Sequence, residues 1–304
     1  MNNYNHRPEK IKNTWELKEN TEIDMTTTGS PLISDNIQLY ATRLLDLGTI
    51  SDNKFREIFE KIPGSELQHL KDEISSTLQI LRELHEPQNL SDYIQANYIT
   101  KVESLIKQIV AKLEHYEVCS ILENVVLPLV HSEKRNIIID MASGIGRYLD
   151  YFSSIFKHVV EIDFLENNIK IAKETHTELC NVEYCIDDVM RVNFKNNNIN
   201  VAFGNWLLQY LHEDDILTLL SRLNKWLVPG GIVFFHEGIK TNFEGRLPDK
   251  KENPAIFRHS VDIYNGWFES CGFNIVQQGY LSTYLHVFNN PNQIYWILQC
   301  PKKG

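Results

Sequence analysis

Hydrophobic positions recur at two spacings along the chain, and the change falls near residue 132. From Ile33 to about Val130, apolar residues return at steps of three and four, which is the period of amphipathic helices. After Arg135, short apolar runs alternate with helical stretches. The pattern predicts a polar, largely irregular segment over 1–32, a helical cap or oligomerisation region over 33–132, and an α/β domain over 133–304.

The α/β domain is expected to contain one large sheet. The predicted strands are Ile137–Met141, His158–Asp163, Val182–Ile186, Asn200–Phe203, Ile232–His236, Phe273–Gln278 and Ile294–Gln299. Helices are predicted between most of them, but the last two strands are expected to join without one. This order indicates a Rossmann-like, mostly parallel seven-stranded sheet with an antiparallel edge, which binds ligands at the carboxyl ends of its central strands.

The first two predicted strands enclose a small-residue turn. Its small residues, which let the backbone turn sharply and approach a ligand, are Ala142, Gly144 and Gly146. Asp163 ends the second strand, where a carboxylate can accept hydrogen bonds from both ribose hydroxyls. Because Asp140 precedes the turn, the site favours a ligand with a positive amino group and no phosphate, such as S-adenosylmethionine. In the plainer alternative the glycines only tighten the connection and Asp163 complements a helix dipole.

Later strands end in further candidates. After the third strand, Asp188 could bind an adenine amino group and Val189 could pack on the ring, although Asp188 could equally be a turn acid. After the fourth strand, the Tyr210 phenol could orient a nucleophile or accept its proton, or simply pack in the core. His236 and Glu237 end the fifth strand, where they could face a substrate amine or only solvent.

Composition narrows the function classes. The net charge of −10 and the scattered Lys and Arg residues disfavour a nucleic-acid partner. The five cysteines form no Cys-x-x-Cys pair and the histidines show no metal-ligand spacing, so we expect no metal. We also expect a cytoplasmic protein, because the sequence contains neither an export signal nor an apolar run long enough to span a membrane.

Six segments carry a family resemblance. They are GIGR at 144–147, IDFLENNIK at 162–170, NWLLQYL at 205–211, WLVPGGIVFFHE at 226–237, NPAIFR at 253–258 and NQIYWILQ at 292–299. Together they resemble the first catalytic domain of plant phosphoethanolamine N-methyltransferases, within the class I methyltransferase superfamily. The resemblance covers about residues 135 to 301; the helical N-terminal region has no recognised counterpart, and the second catalytic domain of the plant enzymes is absent.

The resemblance implies a cofactor site for S-adenosylmethionine. The residues expected there are Asp140, Ala142, Ser143, Gly144, Gly146, Asp163, Phe164, Asp188, Val189 and Asn205. It also implies that Arg258, with Trp206 and His236, binds the substrate, and that Arg258 holds an anionic group. Two departures matter: Ala142 replaces the first glycine of the turn, which is tolerable if its φ is negative, and Tyr210 stands where some relatives place a catalytic histidine.

The expected activity is methyl transfer from S-adenosylmethionine to a small polar, amine-bearing metabolite, with Tyr210 and Glu237 orienting the amine. Three alternatives stay open at this point: methylation of a peptide α-amine, transfer of the aminocarboxypropyl arm of the same cofactor, and a non-catalytic scaffold. The only macromolecular partner expected is a second copy of the chain, bound through the N-terminal helices.

Overall fold

The computed structural model describes residues 40, 43–44, 52–84, 92–240 and 257–301. The predicted irregular segment over 1–32 and most of NPAIFR lie outside them. The described helices are α1 (Asn53–Glu60), α2 (Gly64–Leu84), α3 (Asp92–Ile121), α4 (Leu127–Leu129), α5 (Leu149–Ile155), α6 (Glu166–Thr175), α7 (Glu213–Trp226), α8 (Val261–Ser270) and α9 (Ser282–Phe288). The strands are β1 (Ile137–Met141), β2 (His158–Asp163), β3 (Val182–Ile186), β4 (Ile199–Asn205), β5 (Leu227–Gly238), β6 (Asn274–Tyr280) and β7 (Gln293–Gln299). None of the described helices is long and apolar enough to cross a membrane.

The described residues fall into two compact units. The sheet unit runs over Leu122–Tyr280 and resumes at Asn292. The helical unit contains the described residues up to Ile121 together with Leu281–Pro291. The helical unit therefore includes Leu281–Pro291, which the sequence assigned to the α/β domain. The predicted boundaries of the three segments, 1–32, 33–132 and 133–304, stay a prediction.

The sheet has the order β3-β2-β1-β4-β5-β7-β6. The neighbouring pairs from β3 to β5 are parallel, and β7 is antiparallel to both β5 and β6. The Rossmann-like α/β prediction is confirmed, with two corrections. The antiparallel strand lies one place inside the edge, with β6 outside it, and helix α9 connects β6 to β7 where no helix was expected.

The central strands are buried on both faces, which explains why they read as continuous apolar runs. On one face, Phe235 and Trp296 pack in a core with Phe268 of α8. On the other, Phe234 stacks on Phe203 with 5.0 Å between ring centroids. Successive side chains of a strand point to opposite faces, so Phe234 and Phe235 pack in the cores on opposite faces of the sheet. Packing on both faces holds the ends of the central strands in place, and these ends form the candidate site.

Helix α9 is fastened inside the helical unit by a distant acid. Glu117 of α3 is fully buried, and its carboxylate accepts the backbone N–H groups of Ser282, at 2.7 Å, and Thr283, at 2.9 Å. The first N–H groups of a helix lack partners within the helix, and a carboxylate placed there satisfies them. The Tyr284 hydroxyl also donates to Glu114 of α3. These bonds make α9 part of the helical unit although it lies between two strands of the sheet.

Candidate cofactor and acceptor site

A cavity of about 480 Å³ lies at the carboxyl ends of β1 to β4, within the sheet unit. This is the edge at which open α/β sheets bind ligands. The residues expected at the site from the sequence that line the cavity are Asp140, Ala142, Ser143, Gly144, Asp163, Phe164, Asp188, Val189, Asn205, Trp206 and Tyr210. The expected residues outside its lining are Gly146, His236, Glu237 and Arg258.

Asp163 ties the glycine turn to the end of β2. Its Oδ2 accepts the Gly144 N–H at 2.9 Å, and its Oδ1 accepts the Leu165 N–H at 2.9 Å. Burial raises the pKa of Asp163, while these backbone bonds and the Asn168 side chain lower it. A carboxylate has about four lone-pair positions, so with three donors already bound Asp163 can accept about one further hydrogen bond from a ligand in the cavity.

Gly144 and Gly146 serve different purposes in this turn. Gly144 has φ +61°, and a β-carbon there would meet nothing within 4 Å, so its backbone is open to a ligand. Gly146 has φ +79°, but a β-carbon there would lie 3.3 Å from Ala172 Cβ in α6. The expectation that Gly146 contacts the cofactor is therefore corrected: this glycine allows close packing of the turn against a helix.

Ala142 is a second correction, because its φ is +61°. A side chain in the left-handed region brings Cβ close to the following carbonyl oxygen, which costs about 1–2 kcal/mol. The tolerance expected from a negative φ is therefore wrong, and the methyl group is a source of backbone strain beside the cavity.

Replacing Ala142 with glycine should consequently stabilise the protein, by about 1 kcal/mol after allowance for the larger unfolded-state entropy of glycine. Urea denaturation followed by circular dichroism measures the change. Ala172→Gly in the middle of α6 is the matched control and should destabilise the protein by a similar amount. A loss of stability in Ala142→Gly would contradict the strain.

Three carboxyl groups are buried beside the turn: Asp140, Glu161 and Asp163. Asp140 pairs in register with Glu161 across β1 and β2, and Asp163 follows two residues later on the same face. Burial raises the pKa of Asp140 well above its usual range, and the charges of Glu161 and Asp163 raise it further. Burial also raises the pKa of Glu161, to about 8, although the Ser143 hydroxyl opposes this. Among the described residues neither Glu161 oxygen meets hydrogen-bond geometry with a partner. Asp140 and Asp163 line the cavity, and this side of it is therefore suited to a cation.

The end of β3 supplies another wall. The Asp188 Oδ1 accepts the Met190 N–H at 2.9 Å, which closes a turn after the strand. Val189 is buried, and both Asp188 and Val189 line the cavity. The turn-acid alternative therefore describes part of what Asp188 does, and its adenine contact stays a prediction.

The loop after β4 is held in place by Glu237. This fully buried residue accepts the backbone N–H groups of Leu207 at 2.9 Å, Leu208 at 2.7 Å and Gln209 at 3.2 Å. Burial raises the pKa of Glu237 to about 8, against the lowering effect of these three bonds. The expectation that Glu237 meets a substrate amine is corrected, because its carboxylate is occupied by the loop that carries Tyr210.

His236 is also buried rather than facing a substrate. Its Nδ1 donates to Asn205 Oδ1 at 2.6 Å, and its carbonyl accepts the Trp206 N–H at 2.9 Å. Trp206 has φ +60°, a conformation rare for a bulky residue and maintained only where surrounding contacts impose it. His236 thus positions Asn205 and Trp206, which do line the cavity.

Arg258 is exposed and stands beside the cavity wall. A β-carbon on Gly238 would lie 3.3 Å from Arg258 Nε, 3.4 Å from Trp206 Cζ3 and 3.5 Å from Gln209 Oε1. Three side chains therefore converge where Gly238 has none. Tyr210 is close enough that its pKa, raised mainly by burial and by Glu237, is partly lowered by the Arg258 charge.

Several lining residues were missed from the sequence. They are Arg147, Tyr148, Asn168, Met190, Arg191 and Asp215. Arg147 and Tyr148 directly follow the glycine turn, and this adjacency was a usable signal. Asp215 lies in the first turn of α7, where the sequence gives no sign that one acid faces inward while its neighbours face solvent.

Comparisons with known proteins agree with this geometry. Residues 138–231 match the family model described as a methyltransferase domain. The chain is 28% identical over 187 residues to phosphoethanolamine N-methyltransferase 1 of Triticum aestivum. The aligned region covers 57% of this chain and 36% of the relative. It is 26% identical over 191 residues to phosphoethanolamine N-methyltransferase 1 of Caenorhabditis elegans, covering 57% and 39%. The match thus spans little more than a third of these relatives' length.

Two solved structures share the fold. Phosphoethanolamine N-methyltransferase 1 of Haemonchus contortus, in complex with phosphoethanolamine and S-adenosylhomocysteine, superposes with a TM-score of 0.51 at 21% identity, covering 55% of this chain and 39% of that one. A SAM-dependent methyltransferase of Leishmania major gives 0.52 at 15% identity, covering 62% and 72%. These superpositions confirm the predicted fold, and the match over residues 138–231 confirms the resemblance to a methyltransferase domain.

Proposed function

We propose that this chain, whose residues 138–231 match a methyltransferase domain, binds S-adenosylmethionine in the 480 Å³ cavity and methylates a small polar amine. The observation that carries the proposal is the cavity wall itself. It combines an open glycine turn at Gly144, a strand-end carboxylate at Asp163 and a buried carboxyl group at Asp140.

The residues present fit this cofactor. Gly144 leaves open space over its backbone, which allows a ligand to approach closely. Asp163 accepts two backbone N–H groups and, at 3.3 Å, the Asn168 side chain, so about one of its four lone-pair positions stays open for a ribose hydroxyl. The raised pKa of Asp140 marks a site short of positive charge, and an ammonium group would lower that pKa again.

S-adenosylmethionine supplies, when bound, a methyl group whose bond to sulfur breaks as the lone pair of the acceptor nitrogen forms a bond to the carbon. The chain must then hold the acceptor in line and exclude water. The loop with Trp206 and Tyr210 provides a rigid wall for this, because Glu237 fixes its backbone with three hydrogen bonds.

Tyr210 acts by orientation rather than as a base. Burial and the nearby Glu237 raise its pKa above the ordinary value for a phenol, so the hydroxyl keeps its proton at neutral pH. A neutral phenol donates or accepts a hydrogen bond and positions the acceptor. Of the two roles left open by the sequence, the contacts favour positioning.

The acceptor class follows from Arg258. Its guanidinium and the Trp206 ring both approach Gly238, and Trp206 lines the cavity, so the guanidinium can pair with a phosphate or carboxylate of the acceptor. The curated relatives are named phosphoethanolamine N-methyltransferases, which supports an amine that carries an anionic group. We infer phosphoethanolamine or a similar zwitterion as the acceptor.

The test combines binding and turnover. Calorimetry with S-adenosylmethionine and S-adenosylhomocysteine should show one site, and a radiolabelled-methyl assay should compare phosphoethanolamine, ethanolamine, small amino acids and a peptide with a free α-amine. We expect transfer to the zwitterionic small molecules. The mass added to the product separates methyl transfer from aminocarboxypropyl transfer, and absence of cofactor binding would favour the scaffold alternative.

Arg258 gives the acceptor prediction its sharpest form. Arg258→Lys should raise KM by about 10-fold with little change in kcat, because lysine keeps the charge but loses the two-pronged geometry. Arg258→Ala should raise KM by about 100-fold. Arg56→Lys, an exposed arginine of α1, is the control. Wild-type kinetics for Arg258→Ala would remove the anion-binding role.

A further inference from the structure

Gln209 is a buried amide whose hydrogen bonding is incomplete. It is 1% exposed, and its Oε1 has no hydrogen-bond partner among the residues that the structure describes. Its backbone is fixed from both sides, because its N–H donates to Glu237 and its carbonyl accepts the Phe257 N–H at 2.6 Å. Since the side chain starts from a fixed backbone, its oxygen is held in place as an acceptor that meets no donor within the described part of the chain.

The position of this oxygen relates it to the acceptor site. Oε1 lies 3.5 Å from the point where a β-carbon on Gly238 would be, and Arg258 Nε lies 3.3 Å from the same point. A hydrogen bond with the Gln209 side chain lowers the pKa of Tyr210. Because a bond that lowers the pKa of a phenol donates to its oxygen, and Oε1 can only accept, that bond uses the amide nitrogen. The Gln209 side chain is thus bonded to Tyr210, which lines the cavity, and its oxygen and Arg258 Nε both lie beside Gly238.

We propose that Gln209 Oε1 determines specificity by accepting an N–H of the methyl acceptor while Arg258 holds the acceptor's anionic group. This inference rests on the proposed function. An amine that still carries hydrogen satisfies the oxygen, whereas a quaternary nitrogen has no hydrogen to offer and leaves it unpaired. A carboxylate at this position would strongly stabilise the protonated, ammonium form of the acceptor. The neutral amide of Gln209 accepts the same hydrogen bond with much less of this effect, so the acceptor nitrogen can keep its lone pair.

The test measures binding rather than turnover. Calorimetry on the full chain saturated with S-adenosylhomocysteine should compare phosphoethanolamine with its N-trimethyl analogue. We expect the wild type to prefer the N–H ligand by about 10-fold and Gln209→Met, which keeps length without an acceptor oxygen, to prefer it by less than about 3-fold. Gln108→Met on the exposed face of α3 is the matched control and should keep the wild-type ratio.

Gln209→Asn guards against a folding defect, because it keeps the amide but withdraws the oxygen by one carbon. It should give an intermediate ratio with unchanged affinity for S-adenosylhomocysteine. A wild-type ratio in both Gln209 variants would overturn the inference and leave the proposed function intact. Failure of the wild type to bind S-adenosylhomocysteine would overturn the proposed function and the inference with it.

Discussion

Replacing Asp163 with alanine is expected to weaken the binding of S-adenosylmethionine by about 10- to 100-fold. Hydrogen bonds between hydroxyls and a charged acceptor contribute about 1.5–3 kcal/mol, and the variant removes that acceptor from the cavity wall. It also frees the Gly144 and Leu165 N–H groups that Asp163 holds, so the turn loses its fixed position. Isothermal titration calorimetry at constant ionic strength measures the affinity directly.

Asp163→Asn separates the two contributions. Asparagine keeps the size of the side chain and one acceptor oxygen, so it should preserve more of the turn while losing the charge that favours ribose hydroxyls. We expect an affinity between those of the wild type and the alanine variant. Equal affinity in all three proteins would contradict the assignment of Asp163 to the ribose.

Replacing Glu161 with glutamine is expected to stabilise the protein at high pH, by on the order of 3 kcal/mol at pH 8.5. The folded-state pKa of Glu161 is raised by burial from 4.5 to about 8. A carboxyl group whose pKa is higher in the folded protein than in the unfolded chain stabilises the folded state. This contribution is fully present below the unfolded-state pKa and is lost as the pH rises through the folded-state pKa. The variant has no proton to lose, so its stability should fall less over this interval.

The measurement is urea unfolding of both proteins at pH 5 and at pH 8.5. The difference between them should be small at pH 5 and large at pH 8.5, while Glu237, whose pKa is also about 8, keeps part of the pH dependence in the variant. Glu174→Gln, at an exposed position of α6, serves as the control. A difference that does not grow with pH would show that Glu161 is ionised in the folded protein at pH 5.

The sequence predicted the parts of the fold that local patterns determine. The bounds of β1, β2 and β3 agree with the structure, because β-branched runs between turn residues define a buried strand on their own. Helix α9 was missed because it is short and depends on Glu117, which lies 165 residues from its first turn. The pattern of apolar residues within a short stretch of sequence cannot predict a hydrogen bond to a residue so far away in the chain.

A residue's place in the strand order predicts which side chains reach the cavity. Asp163 ends β2 and Asp188 follows β3, and both line the cavity, while their contacts with a cofactor stay predictions. Glu237 also ends a predicted strand, but which way its side chain turns depends on the loop after β4, and the sequence does not encode that direction locally. Glu161 shows the same limit, because a fully buried acid between apolar neighbours carries no sequence signal of its surroundings.

The fastening of α9 to α3 also constrains the order in which the chain can reach its final state during synthesis. Glu117 is synthesised 165 residues before Ser282, so its carboxylate must remain hydrated until the first turn of α9 has been made. Helices α1 to α3 can form early but cannot close around Glu117 until α9 arrives. The sheet faces the same delay, because β7 follows α9 and lies between β5 and β6. Completion of both units therefore waits for the same short stretch of chain, α9 and β7.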